Sequence, residues 1–417
     1  LRDAVGEAIA PRHSQEGAMP GKIKTDHTFD PERDRITGAD RFTPSVKQRI
    51  GADHFPVLTD LLAKDAKIKA KFDALGGEAA LGKRVETLIG SMWRFSASAI
   101  VYDAGTDAAY EMHGAIYERW QEAGGLGYGV PCTDELPTPD GVGRFNHFNN
   151  STASIYWTPQ TGAHTIYGDI RARWSALGWE KSYLGYPVSD EVAFADGGRA
   201  NEFQHGGIYW WPDTGAIDLR DVVVHYTGMH CFGETDWDQS SSADEPYAIF
   251  ALSTPRQAWG VNSQVYGDVD AKEQRPDLLE LYRGRPYGLN IGVVLMEHDF
   301  GDPNKYRQQI VDTCMAVHSA GVVALGFIPI VGPFIAAAAA PSLGALMPAL
   351  GGAINDAFDW GDDRIGTANI TVSARDMVLL AARTQNSTFG AIGYKIESPL
   401  LAGLGASYKV YFGVVPA

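Results

Sequence analysis

Carboxylates gather in three stretches of the C-terminal half: Asp236 and Asp238 with Asp244 and Glu245, then Glu297, Asp299 and Asp302, then Asp362 and Asp363. Calcium and other hard cations take about six to eight oxygen ligands, and three carboxylate-bearing loops at one end of a sheet structure can supply them. These nine residues are therefore the candidate calcium ligands. The competing reading is solvated turns in an acidic chain, because Asp bonds its own backbone in turns. Catalysis has no comparable signature: GxSxG, HExxH, a phosphate loop and a strand-borne GxGxxG are all missing, so no catalytic residue is assigned. His225, His230 and His298 lie near acidic residues, and a hydrolase centred on His298, between Glu297 and Asp299, is the enzymatic alternative.

The chain that carries these loops has 417 residues, a length that suggests two or three domains. Its 51 acidic against 35 basic residues give a net charge of -16, which argues against nucleic acid as a partner. An anionic lipid surface would have to be met through a local device such as a bound cation. Cys132, Cys231 and Cys314 make no CxxC pair, so a thiolate zinc site is not expected and at most one disulfide is allowed. Leu1 opens without a basic region and apolar core, which reads as a mature or trimmed form.

Residues 1 to about 42 read as a polar arm. A helix is expected from Thr43 to Leu75, stopped by Gly76-Gly77, with a second over Ala79 to Ile89. The chain then repeats itself. A hairpin phrase begins at Ile100, Ile155 and Ile208, 55 and 53 residues apart, and the first two are followed by a short helix ending in Trp120 or Trp174. Leu126-Gly127-Tyr128-Gly129-Val130-Pro131 matches Leu184-Gly185-Tyr186-Pro187-Val188, and an acidic pair follows each, Asp134-Glu135 and Asp190-Glu191. Arg144-Phe145-Asn146-His147-Phe148 and Arg199-Ala200-Asn201-Glu202-Phe203 lead into the next hairpin.

These phrases over residues 95–219 resemble the LGFP repeat family, which implies a secreted or envelope-associated protein attached to cell-wall glycan. The first unit departs from the pattern where Gly129 splits the LGYP phrase and Cys132 stands in a serine-aspartate position. Under the resemblance, Trp157, Trp210 and Trp211 are candidates to stack on sugar faces, with Asp190, Glu191 and Asn201 bonding hydroxyls. The alternative is that they are core and turn residues that let repeats pack.

After Asp221 the pattern changes to short strands at 222–226, 247–252, 289–295, 367–373 and 408–415, joined by polar loops, as in a β-sandwich. This half resembles a C2 domain, whose first calcium loop ends in Asp-Pro-Tyr and whose third runs from Asp-x-Asp to Asp-Asp-x-Ile-Gly. Glu245 takes the place of the Asp before Pro, Asp236 that of the earlier Asp, Glu297 and Asp299 the pair, and Asp363 the Asp ahead of Ile-Gly. The third loop is enlarged by a helical, apolar insertion at about 303–358, free of Asp, Glu, Lys and Arg from Thr313 to Asn355 and cut by Pro329, Pro333, Pro341 and Pro348 into pieces shorter than the roughly 20 residues of a spanning helix. Calcium loops of C2 domains face membranes, so Phe327, Ile328, Ile330 and Phe334 become candidate membrane contacts. A permanently buried helical layer is the competing reading.

The fold class expected is α+β, mainly β, with an N-terminal arm and helices over 1–94, a repeat module over 95–219 and a C2-like sandwich over 220–417. The expected function is non-enzymatic: glycan or peptidoglycan binding by the repeats and calcium-dependent membrane binding by the sandwich. The insert opens a toxin-like role, with an oligomer on the membrane. A cell-wall-associated hydrolase targeted by the repeats is the alternative.

Overall fold

The computed structural model describes residues 56–235, 244–254, 257–298, 364–385 and 395–417, together with Asp312. The chain separates into two compact units, Leu1–Asp60 and Leu61–Ala417, and the sheets and sites described lie in the second. The architecture is α+β and mainly β.

Its first half is one theme played three times, a helix followed by a four-stranded antiparallel meander in sequential order. Helices α1 (Pro56–Ala74) and α2 (Gly77–Leu81) lead into β1 (Glu86–Leu88), β2 (Met92–Arg94), β3 (Ser98–Asp103) and β4 (Ala108–His113). Helix α3 (Gly114–Glu122) leads into β5 (Leu136–Pro137), β6 (Arg144–Phe148), β7 (Ala153–Thr158) and β8 (Gly162–Tyr167). Helix α4 (Gly168–Leu177) leads into β9 (Val192–Ala193), β10 (Arg199–Phe203), β11 (Gly206–Trp211) and β12 (Gly215–Leu219).

Helices α3 and α4 serve as wedges because their apolar residues recur four apart. Ile116 and Trp120 of α3 are buried among Met92, Val101 and Met112 of one sheet and Phe148 and Ile155 of the next. Ile170 and Trp174 of α4 repeat the arrangement with Tyr156, Ile166, Phe203 and Ile208. Each fully buried aromatic contributes on the order of 2–3 kcal/mol. Cationic side chains on the helices then staple unit to unit: Lys71 pairs with Asp134, Arg119 with Asp190 at 2.8 Å and Arg173 with Asp218 at 2.6 Å.

The second half is a β-sandwich built from β13 (Val222–Gly233), β14 (Pro246–Ser253), β15 (Ala258–Asn262), β16 (Gln274–Gly284), β17 (Leu289–Glu297), β18 (Arg364–Val372), β19 (Lys395–Glu397), β20 (Leu401–Gly403) and β21 (Ala406–Pro416). One sheet runs β16-β13-β21-β19, with β20 also on β21, and the other runs β15-β14-β17-β18. Phe250 joins them, its ring centroid 4.9 Å from Tyr226 of the first sheet and 5.9 Å from Phe412. Helix α5 (Ala374–Gln385) buries Met377 and Val378 in the same core. Phe194, Tyr209, Trp211 and Leu219 belong to that core too, so the third repeat unit is continuous with the sandwich. Arg285 Nη2 donates to the Phe203 carbonyl at 3.0 Å across this junction.

Several expectations need correction. The helix placed over Ala79 to Ile89 stops at Leu81, and Glu86–Leu88 instead forms a hairpin with Met92–Arg94. Gly90 makes that turn at φ 70°, and a Cβ there would lie 2.8 Å from the Leu61 carbonyl oxygen. The first meander therefore starts at Glu86, ahead of residue 95, and α1 takes the place of the helix that opens the other units. Strands β15 and β16 and helix α5 were not foreseen, and β13 runs seven residues past Tyr226, to Gly233. Thr43 to Phe55 and the insertion, apart from Asp312, lie outside the described residues. Cys132 and Cys231 are unbonded.

Candidate functional site

Where the last strand of the second unit meets the helix and sheet of the third, six side chains of varied chemistry surround one cleft of about 370 Å³: Tyr167, Asp169, Ile170, Glu191, Arg199 and Trp210. Tyr167 ends β8, and Asp169 and Ile170 form the first turn of α4. Glu191 comes from the loop before β9, while Arg199 and Trp210 are register partners across β10 and β11. The Trp210 indole Nε1 donates to Asp169 Oδ2 at 2.8 Å, which orients the ring. Arg199 Nε lies 3.9 Å from Glu191 Oε1. Burial pushes the Glu191 carboxyl up from its ordinary range, against the lowering effect of the Tyr167 hydroxyl and the Arg199 charge. Burial and the Glu191 charge in turn push the Tyr167 hydroxyl up to about 12, so it remains a neutral donor and acceptor. An aromatic face rimmed by carboxylates, a guanidinium and a phenol suits a ring that is apolar on its faces and hydroxylated at its edge.

Of the six residues proposed from the sequence for sugars, the structure brings Glu191 and Trp210 into this cleft and places Trp157 at the equivalent point of the preceding unit, opposite Arg144. The other three hold the fold. Asp190 Oδ1 accepts from the Thr165 backbone N–H at 2.8 Å and hydroxyl at 2.9 Å, while its other oxygen receives Arg119. Asn201 is fully buried, its Nδ2 donating to the carbonyls of Thr165 and Ser189 at 3.0 Å each. Trp211 is fully buried against Phe194, with its indole on Asp196 at 3.0 Å. Tyr167, Asp169 and Arg199 were missed, although Arg199 recurs as Arg144 at the head of the same phrase.

Between the second and third units, His147 Nδ1 lies 2.7 Å from Ser154 Oγ, which accepts from Arg171 Nε of α4 at 2.6 Å. Ser154 is fully buried, and burial together with the Arg171 charge pushes the imidazole down to about 4. The imidazole is thus held neutral beside the Arg171 guanidinium, and the Ser154 hydroxyl is buried.

At the sandwich, β13 leaves, β14 begins, β17 ends and β18 begins at one edge, with Glu297 opposite Pro246 and Met296 opposite Arg364. Glu245 N donates to Glu297 Oε1 at 2.6 Å, and His298 N to the Glu245 carbonyl at 3.2 Å. Asp244 is buried, accepting from Thr235 N at 3.0 Å, Thr235 Oγ1 at 2.8 Å and the Tyr408 hydroxyl at 2.6 Å. Asp236, Asp238, Asp299, Asp302, Asp362 and Asp363 lie outside the described residues, as do Phe327, Ile328, Ile330 and Phe334. Among the described residues no three His, Cys, Asp or Glu side chains are grouped to hold a metal, and no helix is long and apolar enough to cross a membrane.

Three helix-and-meander units packed in series define a repeat module. The LGFP repeat family matches residues 129–182 and 184–224, so the chain carries LGFP repeats over that stretch, from the meander of the second unit through the third. Such repeats occur in cell-envelope proteins and point to a wall-associated chain. No curated protein matches the sequence. Two solved structures of human GIVD cytosolic phospholipase A2, both with methyl gamma-linolenyl fluorophosphonate and one also with terbium chloride, are similar over 47% of this chain at 9% and 10% identity. The match spans only 17% of the phospholipase at a TM-score of 0.19, and a likeness that low carries no argument.

Proposed function

We propose that this is a non-enzymatic envelope protein whose repeat module binds wall glycan in the cleft of Tyr167, Asp169, Glu191, Arg199 and Trp210. The observation that carries the reading is this cleft itself, an indole face rimmed by two carboxylates, a guanidinium and a phenol, set within LGFP repeats. Purified protein should co-sediment with isolated peptidoglycan sacculi, and Trp210→Ala should weaken that binding at least tenfold, about 1.4 kcal/mol. Undiminished sedimentation of a folded Trp210→Ala variant would remove the cleft from the account.

A second function is assigned to the sandwich: calcium binding at the β14/β17/β18 edge and, through it, membrane attachment by a C2-like domain. Supporting this reading is the meeting of Glu245 and Glu297, which puts two of the three acidic stretches at one sheet end, beside the start of β18 where the third closes. The insertion would then supply the membrane-facing Phe327, Ile328, Ile330 and Phe334. Co-sedimentation with anionic vesicles should need calcium and vanish in Asp299→Asn plus Asp363→Asn. Identical sedimentation in chelator would sink this step.

A further inference from the structure

The cleft has a counterpart one unit earlier. His113 ends β4 as Tyr167 ends β8, and Gly114 and Gly168 follow with φ of 52° and 59°. Glu135 precedes β5 as Glu191 precedes β9. Arg144 and Trp157 are register partners across β6 and β7, as Arg199 and Trp210 are across β10 and β11. A Trp, an Arg, a Glu and a ring-bearing hydrogen-bonder therefore return at the same positions of the same fold.

The earlier set is assembled independently. Glu135 is gripped by Arg144 Nε, its Oε2 accepts from the His113 backbone N–H at 3.2 Å, and His113 Nε2 lies 3.2 Å from its Oε1. Glu111 Oε1 holds the other imidazole nitrogen at 2.6 Å. Ala115 stands where Asp169 stands later, so the carboxylate that orients the Trp210 indole has no counterpart at that position beside Trp157. A ligand hydroxyl would fill that role.

From this recurrence we infer that the Trp157, Glu135, Arg144 and His113 constellation is a second glycan position, and that the module grips a repeating polymer at two points. The inference rests on the proposed glycan reading of the later cleft. Two linked contacts raise avidity about 10²–10⁴-fold on a ligand that presents many copies, with no gain on a single repeat. The ligand class is thus a repeating wall polymer in preference to a free saccharide.

The test compares binding to intact peptidoglycan sacculi with binding to one soluble disaccharide-peptide fragment of them. Wild type should prefer the polymer at least a hundredfold. Trp157→Ala should retain fragment binding at the later cleft and lose at least tenfold of that preference. Arg144→Gln, a change at a partly exposed strand position, should do the same and decides the matter if Trp157→Ala does not fold. If both variants hold sacculi like wild type while Trp210→Ala does not, the second position is overturned and the single cleft stands. If none of the three changes binding, both readings fall.

Discussion

Asp244 was read from the sequence as a calcium ligand, and its surroundings make a sharp prediction about what it does in the folded chain. It is buried between β13, β14 and β21 and accepts three hydrogen bonds, two from Thr235 and one from Tyr408. Burial first and then the Asp244 carboxylate push the Tyr408 hydroxyl far above its ordinary range, so it stays a donor. Asp244→Ala leaves the Tyr408 hydroxyl buried without that acceptor and strips the Thr235 pair, which is part-buried and recovers some water. A buried donor left unmade costs about 1–3 kcal/mol, so the whole change should cost roughly 2–4 kcal/mol. At about 2–4 °C per kcal/mol for a domain of this size, Tm should fall by roughly 5–15 °C. Tyr408→Phe removes one donor and leaves Thr235 in place, so about 1 kcal/mol is expected. Thermal melts followed by near-UV circular dichroism, in chelator, measure both. If Asp244→Ala melts within about 1 °C of wild type in chelator and loses stability only in calcium, the buried-hub account is wrong and the residue is a metal ligand.

The imidazole of His147, held near 4 in the folded state by burial and then by Arg171, should make the module acid-sensitive. Because the folded value is below the unfolded one of about 6.5, the contribution is complete above about 6.5 and is lost as pH falls toward 4. The imidazole is partly exposed, so about 1–2 kcal/mol is expected, and a His147→Gln variant with the same pH slope of Tm would refute it. The Arg119–Asp190 pair between units should show a coupling of about 0.5–1 kcal/mol in a double-mutant cycle, screened by salt, and a coupling of zero would remove it as a staple. If the sandwich binds calcium, an excess of about a hundredfold over Kd should add about 2.7 kcal/mol and raise Tm, and an unmoved melt would count against the site.

Much of this was legible because repetition exposes position. The hairpin phrases, the Trp120 and Trp174 wedges and strands β13, β14, β17, β18 and β21 of the sandwich follow from periodicity and apolar content. What escaped did so for local reasons. Glu86–Leu88 is exposed throughout while Met92 and Trp93 are buried, so the first strand shows no apolar face and only Gly90 marks the turn between them. Strand β16 sits at a sheet edge and alternates exposed with half-buried residues, a weak signal with Pro276 and Arg283 inside it. Helix α5 had a readable cap, since Ser373 and Asp376 bond each other at 2.6 Å and the Asp376 N–H returns to the Ser373 hydroxyl at 3.0 Å. For the site, residue type could not separate Trp210 from Trp211. Alternation along β11 sends one toward the cleft and the other into the core, and only the register of the sheet reveals which.

The most direct test of the glycan cleft watches Trp210 itself. Its indole N–H is tied to Asp169 at 2.8 Å, so its nitrogen-15 resonance should report any sugar that stacks on the ring. Titration with a soluble peptidoglycan fragment should shift the Trp210 indole peak saturably and leave those of the buried Trp174 and Trp211 in place. Saturable binding of the fragment with the Trp210 peak unmoved would contradict the account.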